Sequence, residues 1–348
     1  MFITRREAIM AVFALGRSSQ AQEGVLPFDP RHHLRGVAEL VSEVFGDDLD
    51  AVGRETLREM QMVSRLGPFL GGMLSMGLLG EFVYGFVWVE RGQVIGNVTL
   101  QRADFDGARW RISNVAVARA HRRRGIGRAL LQAALDEIAD RGGGWAVLQV
   151  RIENQAAYRL YRQLGFSDVC RDGAWRLPVL PPRLPQVNPN AGLRPLAAAD
   201  WMPRLELAHA SRSQLAHWAE TINPASYEVG LGRLLGEALG RLTGLYRIER
   251  WGAWDGERLL AAVETIAGSL HEYHRLRFAV RPEARGGLEN ALVAKGLQAL
   301  ARAPAFPIIA EHSGDHAAGV AALEAAGFRA QRVLLTMRHN VESAAGAV

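Results

Sequence analysis

The pair Gly165-Phe166 returns as Gly327-Phe328, and Ala129-Leu130 returns as Ala291-Leu292, each after 162 residues. Between the two anchors of each set the sequence reads helix, strand, helix. Two anchors at one offset argue for a duplicated domain, the alternative being coincidence in an Ala/Leu-rich sequence. The 348 residues leave room for two domains of ordinary size. The segment between the copies holds Pro178, Pro181, Pro182, Pro185 and Pro189; it is stiff and cannot enter a sheet interior. The expected division is an N-terminal extension over 1–23, a first domain over 24–178, a linker over 179–192 and a second domain over 193–340.

Within the first copy, Val25 to Phe28 reads as a strand and Arg31 to Phe45 as a helix. Phe82 to Val89 and Val94 to Gln101 read as a hairpin around Arg91-Gly92, and Trp110 to Val117 as a further strand. Gly127 to Arg141 carries Leu130, Ala134 and Ile138 on one face and stops at Gly142, as a helix does. Trp145 to Val150 is an apolar strand, and Asn154 to Leu164 is a helix with an N-capping Asn and a terminal Gly165. Leu193 to Leu196 opens the same series again.

Composition excludes several partners. The formal charge is +5, but the basic residues are arginines scattered along the chain, with Lys295 the only lysine. A nucleic-acid surface would show a dense basic stripe with motif support, so no nucleic-acid partner is expected. The single Cys170 permits neither an intrachain disulfide nor a thiolate cluster, which suits a reducing compartment. Leu66 to Val89 is long and apolar enough to span a membrane, with Glu81 as its only charge, yet Gly67-Pro68, Gly71-Gly72, Gly77 and Gly80 interrupt any helix. No membrane partner is expected, and Phe82 to Val89 reads as a buried strand.

The chemically informative stretch is Val115-Ala116-Val117 followed by Arg122-Arg123-Arg124-Gly125-Ile126-Gly127-Arg128-Ala129-Leu130. A strand ends, a basic glycine-rich turn follows, and an amphipathic helix begins. Glycines allow close backbone approach, and the first N–H groups of a helix lack internal partners and carry the positive end of its dipole. A pyrophosphate fits such a cradle, with Arg122, Arg123, Arg124 and Arg128 adding charge. The bland alternative is a solvated helix start. A dinucleotide fingerprint is not met, because only Gly125-Ile126-Gly127 matches. The second stretch is Val147 to Val150 followed by Asn154-Gln155-Ala156-Ala157-Tyr158-Arg159-Leu160-Tyr161-Arg162-Gln163-Leu164-Gly165-Phe166.

Together the two stretches resemble the GNAT superfamily of N-acetyltransferases. Arg122, Gly125 and Gly127 stand in its pyrophosphate loop, and Asn154, Ala157, Tyr161, Gly165 and Phe166 in its later helix motif. The resemblance is strong over Arg111 to Phe166 and extends over Gly24 to Leu177. It implies an α/β (α+β) fold of two tandem GNAT-like domains, each a mixed, mostly antiparallel sheet flanked by helices, with the strands Trp110–Val117 and Trp145–Val150 splayed. It implies acetyl-CoA as co-substrate and no metal. Its pantetheine arm would bond backbone of Val115, Ala116 and Val117, the loop from Arg122 to Arg128 would hold the diphosphate, and Asn154 would cap its helix and touch the arm. A backbone N–H near Val117 would polarise the acyl carbonyl. Tyr161 would be the general acid toward the sulfur in a direct transfer; its alternative is a core tyrosine. Tyr158 would line the cleft or pack, and Cys170 would pack. The general base is open between Glu153, Glu81 and a water chain.

The acceptor is expected to be a primary amine of a small molecule. Ile112 to Val117 and Leu148 to Asn154 are similar to the ribosomal-protein alanine N-acetyltransferases, which makes a protein N-terminus the alternative, and a non-catalytic acyl-CoA sensor is a third. A cytoplasmic location follows from the cofactor. The stretch from Arg5-Arg6 to Ala21 resembles a twin-arginine export signal, but a helical or disordered extension, or a start codon called too early, is the expected reading. Leu66 to Leu79 would line the acceptor pocket or pack. The second copy departs from the chemical pattern: Ala284 stands at the place of Arg122, Glu289 at that of Gly127, His316 at that of Asn154 and Leu323 at that of Tyr161. It is therefore a degenerate copy. His312 and His316 stand four apart but flank a turn, and with His271 and His274 are expected to pack or be solvated.

Overall fold

The computed structural model describes residues 23–46, 84–104, 107–219, 222–228, 230, 235–236, 239–240, 242–243, 246–268 and 273–341. The Arg5-Arg6 segment, Leu66 to Leu79, Glu81 and His271 lie outside the described residues. The chain divides into two compact units, one running to Ala146 and taking in Asn340 onward, the other Val147–His339.

In the first unit, β1 (Gly24–Pro27) precedes α1 (Pro30–Phe45). Asp29 caps that helix by accepting the Arg31 N–H at 2.9 Å, and Pro30 opens it where its missing N–H costs nothing. β2 (Tyr84–Glu90) and β3 (Gln93–Arg102) form the expected hairpin, with Arg91 (φ 51°) and Gly92 (φ 74°) both left-handed at its tip. β4 (Arg109–Val117) completes the order β1-β2-β3-β4, all antiparallel. Val37 and Val41 of α1 pack on Val87 and Val89 of β2. α2 (Ile126–Asp140) buries Ile126, Leu130, Leu131, Ala134, Leu135 and Ile138. Gly96 lets it sit against β3, because a Cβ there would stand 2.8 Å from Leu130 Cδ1. The unit boundary falls inside β5 (Trp145–Arg151).

The second unit holds α3 (Gln155–Gln163), β6 (Ser167–Leu177), β7 (Arg194–Pro195), α4 (Trp201–Ala210), α5 (Gln214–Ala219), β8 (Tyr246–Asp255), β9 (Arg258–Gly268) and β10 (His274–Val280). α6 (Glu289–Leu300), β11 (Ile308–Ser313), α7 (Ala317–Ala325) and β12 (Arg329–Asn340) follow. α3 and α7 begin and end 162 residues apart, the spacing read from the sequence. Each stops at a left-handed glycine, Gly165 (φ 86°) and Gly327 (φ 91°). Each is followed by a buried phenylalanine, Phe166 and Phe328.

Strand order in this unit is β5-β12-β6-β11-β10-β9-β8-β7. β10 and β11 are parallel; β6 runs antiparallel to both β11 and β12. The exchange is reciprocal: β12 lies between β5 and β6, and β6 lies between β12 and β11. Leu276, Leu292, Leu297, Ile308, Ala310 and Leu323 form the heart of its core. Among the described residues no helix is long and apolar enough to cross a membrane.

Candidate active site

In the first unit, β4 carries an irregularity just before its end. Asn97 of β3 faces Ala116 and Thr99 faces Ser113, so two residues of β4, Asn114 and Val115, stand opposite Val98 alone. Asn114 takes φ 50°, unusual for a residue with a Cβ. Its carbonyl accepts from Nδ2 of Asn97 at 3.0 Å, and Asn97 is 2% exposed. Asn97 belongs to no motif, and its only mark in the sequence is a polar residue inside an apolar strand.

Beyond Val117 the chain makes a short turn over Arg119–His121, and Arg122 turns its Nε back to the Val117 carbonyl at 3.2 Å. That carbonyl is therefore engaged within the chain. Arg123 (φ 65°) and Gly125 (φ 81°) are left-handed and bend the backbone into the helix. A Cβ on Gly125 would meet nothing within 4 Å, so the glycine is required by its backbone angle and faces open space. No side chain caps α2, which leaves the N–H groups of its first turn, at Ile126, Gly127 and Arg128, to be satisfied from outside. Arg122, Arg123 and Arg128 are exposed; Arg124 pairs with Glu90 at 2.9 Å. The cradle and the end of β4, with Val115, Ala116 and Val117, thus lie in one unit.

In the second unit, Asn154 caps α3 by accepting the Ala157 N–H at 3.1 Å. Tyr161 lies on the same helix, 5% exposed, with its ring centroid 5.9 Å from that of Phe166. Burial pushes its phenol up to about 12, and the hydroxyl makes no hydrogen bond to a described residue. Phe166 in turn packs on His339 at 5.2 Å. Tyr158 donates to Asp168 at 3.3 Å. Glu153 is exposed. Cys170 is buried, and burial pushes its thiol up to about 12, an inert core residue as expected.

The second repeat treats the corresponding helix start differently. Glu289, the first residue of α6, folds its carboxylate onto the turn that precedes it. Oε1 accepts from the Gly286 N–H at 2.8 Å, and Oε2 from the Leu288 N–H at 3.1 Å. His316 donates Nε2–H to Oε1 at 2.9 Å, which leaves its Nδ1 to accept from His312 Nε2 at 3.0 Å. His312 lies flat on Phe278, centroids 4.0 Å apart. Burial raises the Glu289 carboxyl, but the Gly286 N–H and the imidazole outweigh it and hold the group below its ordinary value. The chain's own anion sits where an anionic ligand would otherwise be met. The relay itself was not legible in the sequence, because its members come from three elements. Among the described residues no three or more His, Cys, Asp or Glu side chains are grouped to hold a metal ion. His274 bonds the Pro304 carbonyl at 2.8 Å and is buried.

Residues 59–166 match the model of the Acetyltransferase (GNAT) family. [Ribosomal protein bS18]-alanine N-acetyltransferase of Escherichia coli (strain K12) is 46% identical over 55 residues, 16% of this chain and 37% of that protein. Streptothricin acetyltransferase of Streptomyces lavendulae is 40% identical over 63 residues, 18% of this chain and 33% of that protein. The chain thus spans about a third of the length of each of these relatives. Among solved structures, a GCN5-related N-acetyltransferase from Sphaerobacter thermophilus superposes with TM-score 0.58 at 16% identity, covering 91% of this chain and 96% of that one. A tandem GNAT protein from the clavulanic acid biosynthesis pathway gives TM-score 0.53 at 16% identity, covering 92% and 99%. At these identities the likeness is one of fold, and the fold is that of a tandem GNAT protein.

Proposed function

We infer that this chain, whose residues 59–166 match the model of the Acetyltransferase (GNAT) family, is an acyltransferase that moves an acetyl group from acetyl-CoA to the primary amine of a small molecule. One observation carries the reading. The start of α2 has no side-chain cap and opens to space at Gly125, whereas the start of α6 is filled by the carboxylate of Glu289. One repeat keeps an anion seat, and the other has closed its own.

The residues present fit a diphosphate. The first-turn N–H groups of Ile126, Gly127 and Arg128 supply donors and the positive helix end, and the exposed Arg122, Arg123 and Arg128 supply charge. Arg124, held by Glu90, stiffens the turn. Acetyl-CoA, when bound, supplies the acetyl group as a thioester. The backbone at Val115, Ala116 and Val117 would hold the arm of that co-substrate, and Asn154, which caps α3, would contribute to its binding. Tyr161 holds a proton on Oη for the departing sulfur. A phenol pushed up to about 12 stays protonated at neutral pH, and a sulfur buried beside it becomes a stronger base for the same reason. The acceptor amine attacks directly, which asks no nucleophile of the protein, and the buried Cys170 is unsuited to be one.

The relative named for streptothricin supports a small-molecule acceptor. The relative named for ribosomal-protein alanine favours a second reading, a protein N-terminus. On either reading 24–178 is the catalytic repeat, 179–192 the linker and 193–340 a degenerate repeat. The test is release of free thiol from acetyl-CoA in the presence of an amine panel and an alanine-initiated peptide, for wild type and Tyr161→Phe. Turnover with a small amine, cut about a hundredfold in Tyr161→Phe with acetyl-CoA binding kept, supports the assignment. Turnover with the peptide alone transfers it to the second reading. Binding of acetyl-CoA without turnover of any acceptor overturns both in favour of a sensor.

A further inference from the structure

The peptide between Asn114 and Val115 stands outside the β3–β4 ladder. Ser113 pairs with Thr99 and Ala116 with Asn97, so two residues occupy a span where one would suffice. Val98, opposite them, turns its carbonyl toward β2, since a Cβ on Gly85 would stand 2.1 Å from that oxygen. Asn114 reaches φ 50°, a conformation that a residue with a Cβ adopts only at a cost.

One buried side chain holds the peptide there. Asn97, 2% exposed, donates Nδ2–H to the Asn114 carbonyl at 3.0 Å and reaches Thr99 Oγ1 at 3.4 Å. Nδ2 of Asn114 meets the same hydroxyl oxygen at 3.4 Å. A trans peptide is planar, and its C=O and N–H point in opposite directions. With the Asn114 carbonyl turned toward Asn97, the Val115 N–H is fixed pointing away from Asn97. Pairing alone does not ask for this. A β4 shorter by one residue would match β3 without the left-handed Asn114 and without a polar side chain buried in an apolar strand. What the device adds is one backbone donor held rigidly out of line, at the end of β4 that leads to the cradle.

We propose, on the premise that acetyl-CoA is the co-substrate, that Asn97 is a positioning residue for the transfer: through the rigid Asn114–Val115 peptide it aims the Val115 N–H at a carbonyl oxygen of the bound thioester. Two parts of that molecule carry such an oxygen, the acyl group and the amides of the arm.

Equilibrium dialysis, and proton–nitrogen spectra of the full chain labelled with 15N-valine, test this with acetyl-CoA and with CoA. In wild type the Val115 N–H resonance should move downfield when acetyl-CoA saturates the protein. A shift with acetyl-CoA alone assigns the donor to the acyl carbonyl; the same shift with both ligands assigns it to the arm. Asn97→Ala should lose the shift and bind acetyl-CoA about two- to tenfold more weakly. Asn97→Asp keeps the shape and lacks the donor, so it should lose the shift too, whereas a merely packed Asn97 would be rescued by it. Binding of acetyl-CoA to wild type without a downfield shift at Val115 overturns the proposal and leaves the co-substrate standing; absence of binding overturns both. A full shift in either folded variant removes Asn97 from the role. The wild-type spectra need no variant and decide first.

Discussion

His312 should make the second repeat sensitive to mild acid, and replacing it should remove much of that sensitivity. The imidazole is stacked on Phe278 and bonded to His316, and burial first, then the neighbouring His316, pushes its pKa down from 6.5 to about 3. A base whose pKa falls on folding is neutral in the native state and charged in the unfolded one. Its contribution is intact above about pH 6.5 and is lost as pH falls from there toward 3. At about pH 5 the interval below 6.5 is about 1.5 pH units, worth about 2 kcal/mol at 1.36 kcal/mol each. Residual solvent access at this ring makes about 1–2 kcal/mol the working figure. Down to about pH 5 the Glu289 carboxyl, held below 4.5, stays ionised in the folded state. Urea unfolding of wild type and His312→Asn at about pH 7.5 and pH 5 isolates the term as a double difference. His316, also pushed down chiefly by burial, contributes with the same sign to both proteins and cancels to first order. The variant should start lower, by about 1–3 kcal/mol for the lost packing and the unmet His316 Nδ1, yet lose about 1–2 kcal/mol less on acidification. Equal losses in the two proteins, within about 0.3 kcal/mol, would refute the buried neutral imidazole.

Three further outcomes follow from the same geometry. Gly125→Ala meets no atom but forces an L residue to φ 81°, so it should cost about 1–2 kcal/mol in chemical unfolding and weaken acetyl-CoA in equilibrium dialysis; an unchanged affinity would separate the cradle from the ligand. Asn97→Ala removes the buried donor that holds the Asn114 carbonyl and should destabilise by about 1 kcal/mol, seen as a lower urea midpoint, with Asn97→Asp no better because an ionised carboxylate cannot donate. Glu289→Gln keeps the shape but weakens two backbone bonds and the histidine bond; hydrogen exchange at Gly286 and Leu288 should rise about tenfold or more, and unchanged protection there would contradict the cap.

Much of the architecture was legible because local signals governed it. Gly142, Gly165 and Gly327 end helices at positive φ, and Asn154 begins one, each a choice made within a few residues. The cradle was legible for the same reason: a strand end, a left-handed Gly125 and a helix start are contiguous. What stayed hidden depends on contacts distant in sequence. The β4 bulge is held by Asn97 from the neighbouring strand, and nothing between Ile112 and Val117 announces it. Glu289 was recognised as hostile to a phosphate, but its bond to His316 spans 27 residues. Strand order was least legible, since β6 and β12 have the same alternation in either arrangement and only the assembled sheet decides which neighbour each takes.

The reciprocal placement of β6 and β12 constrains biosynthesis. β5 and β6 are made early, yet the strand that separates them arrives only after about 150 further residues have been translated. Until then both present raw edges open to mispairing. Deleting β12 should therefore leave the facing edges of β5 and β6 unpaired and yield aggregates, seen by light scattering of the truncated chain.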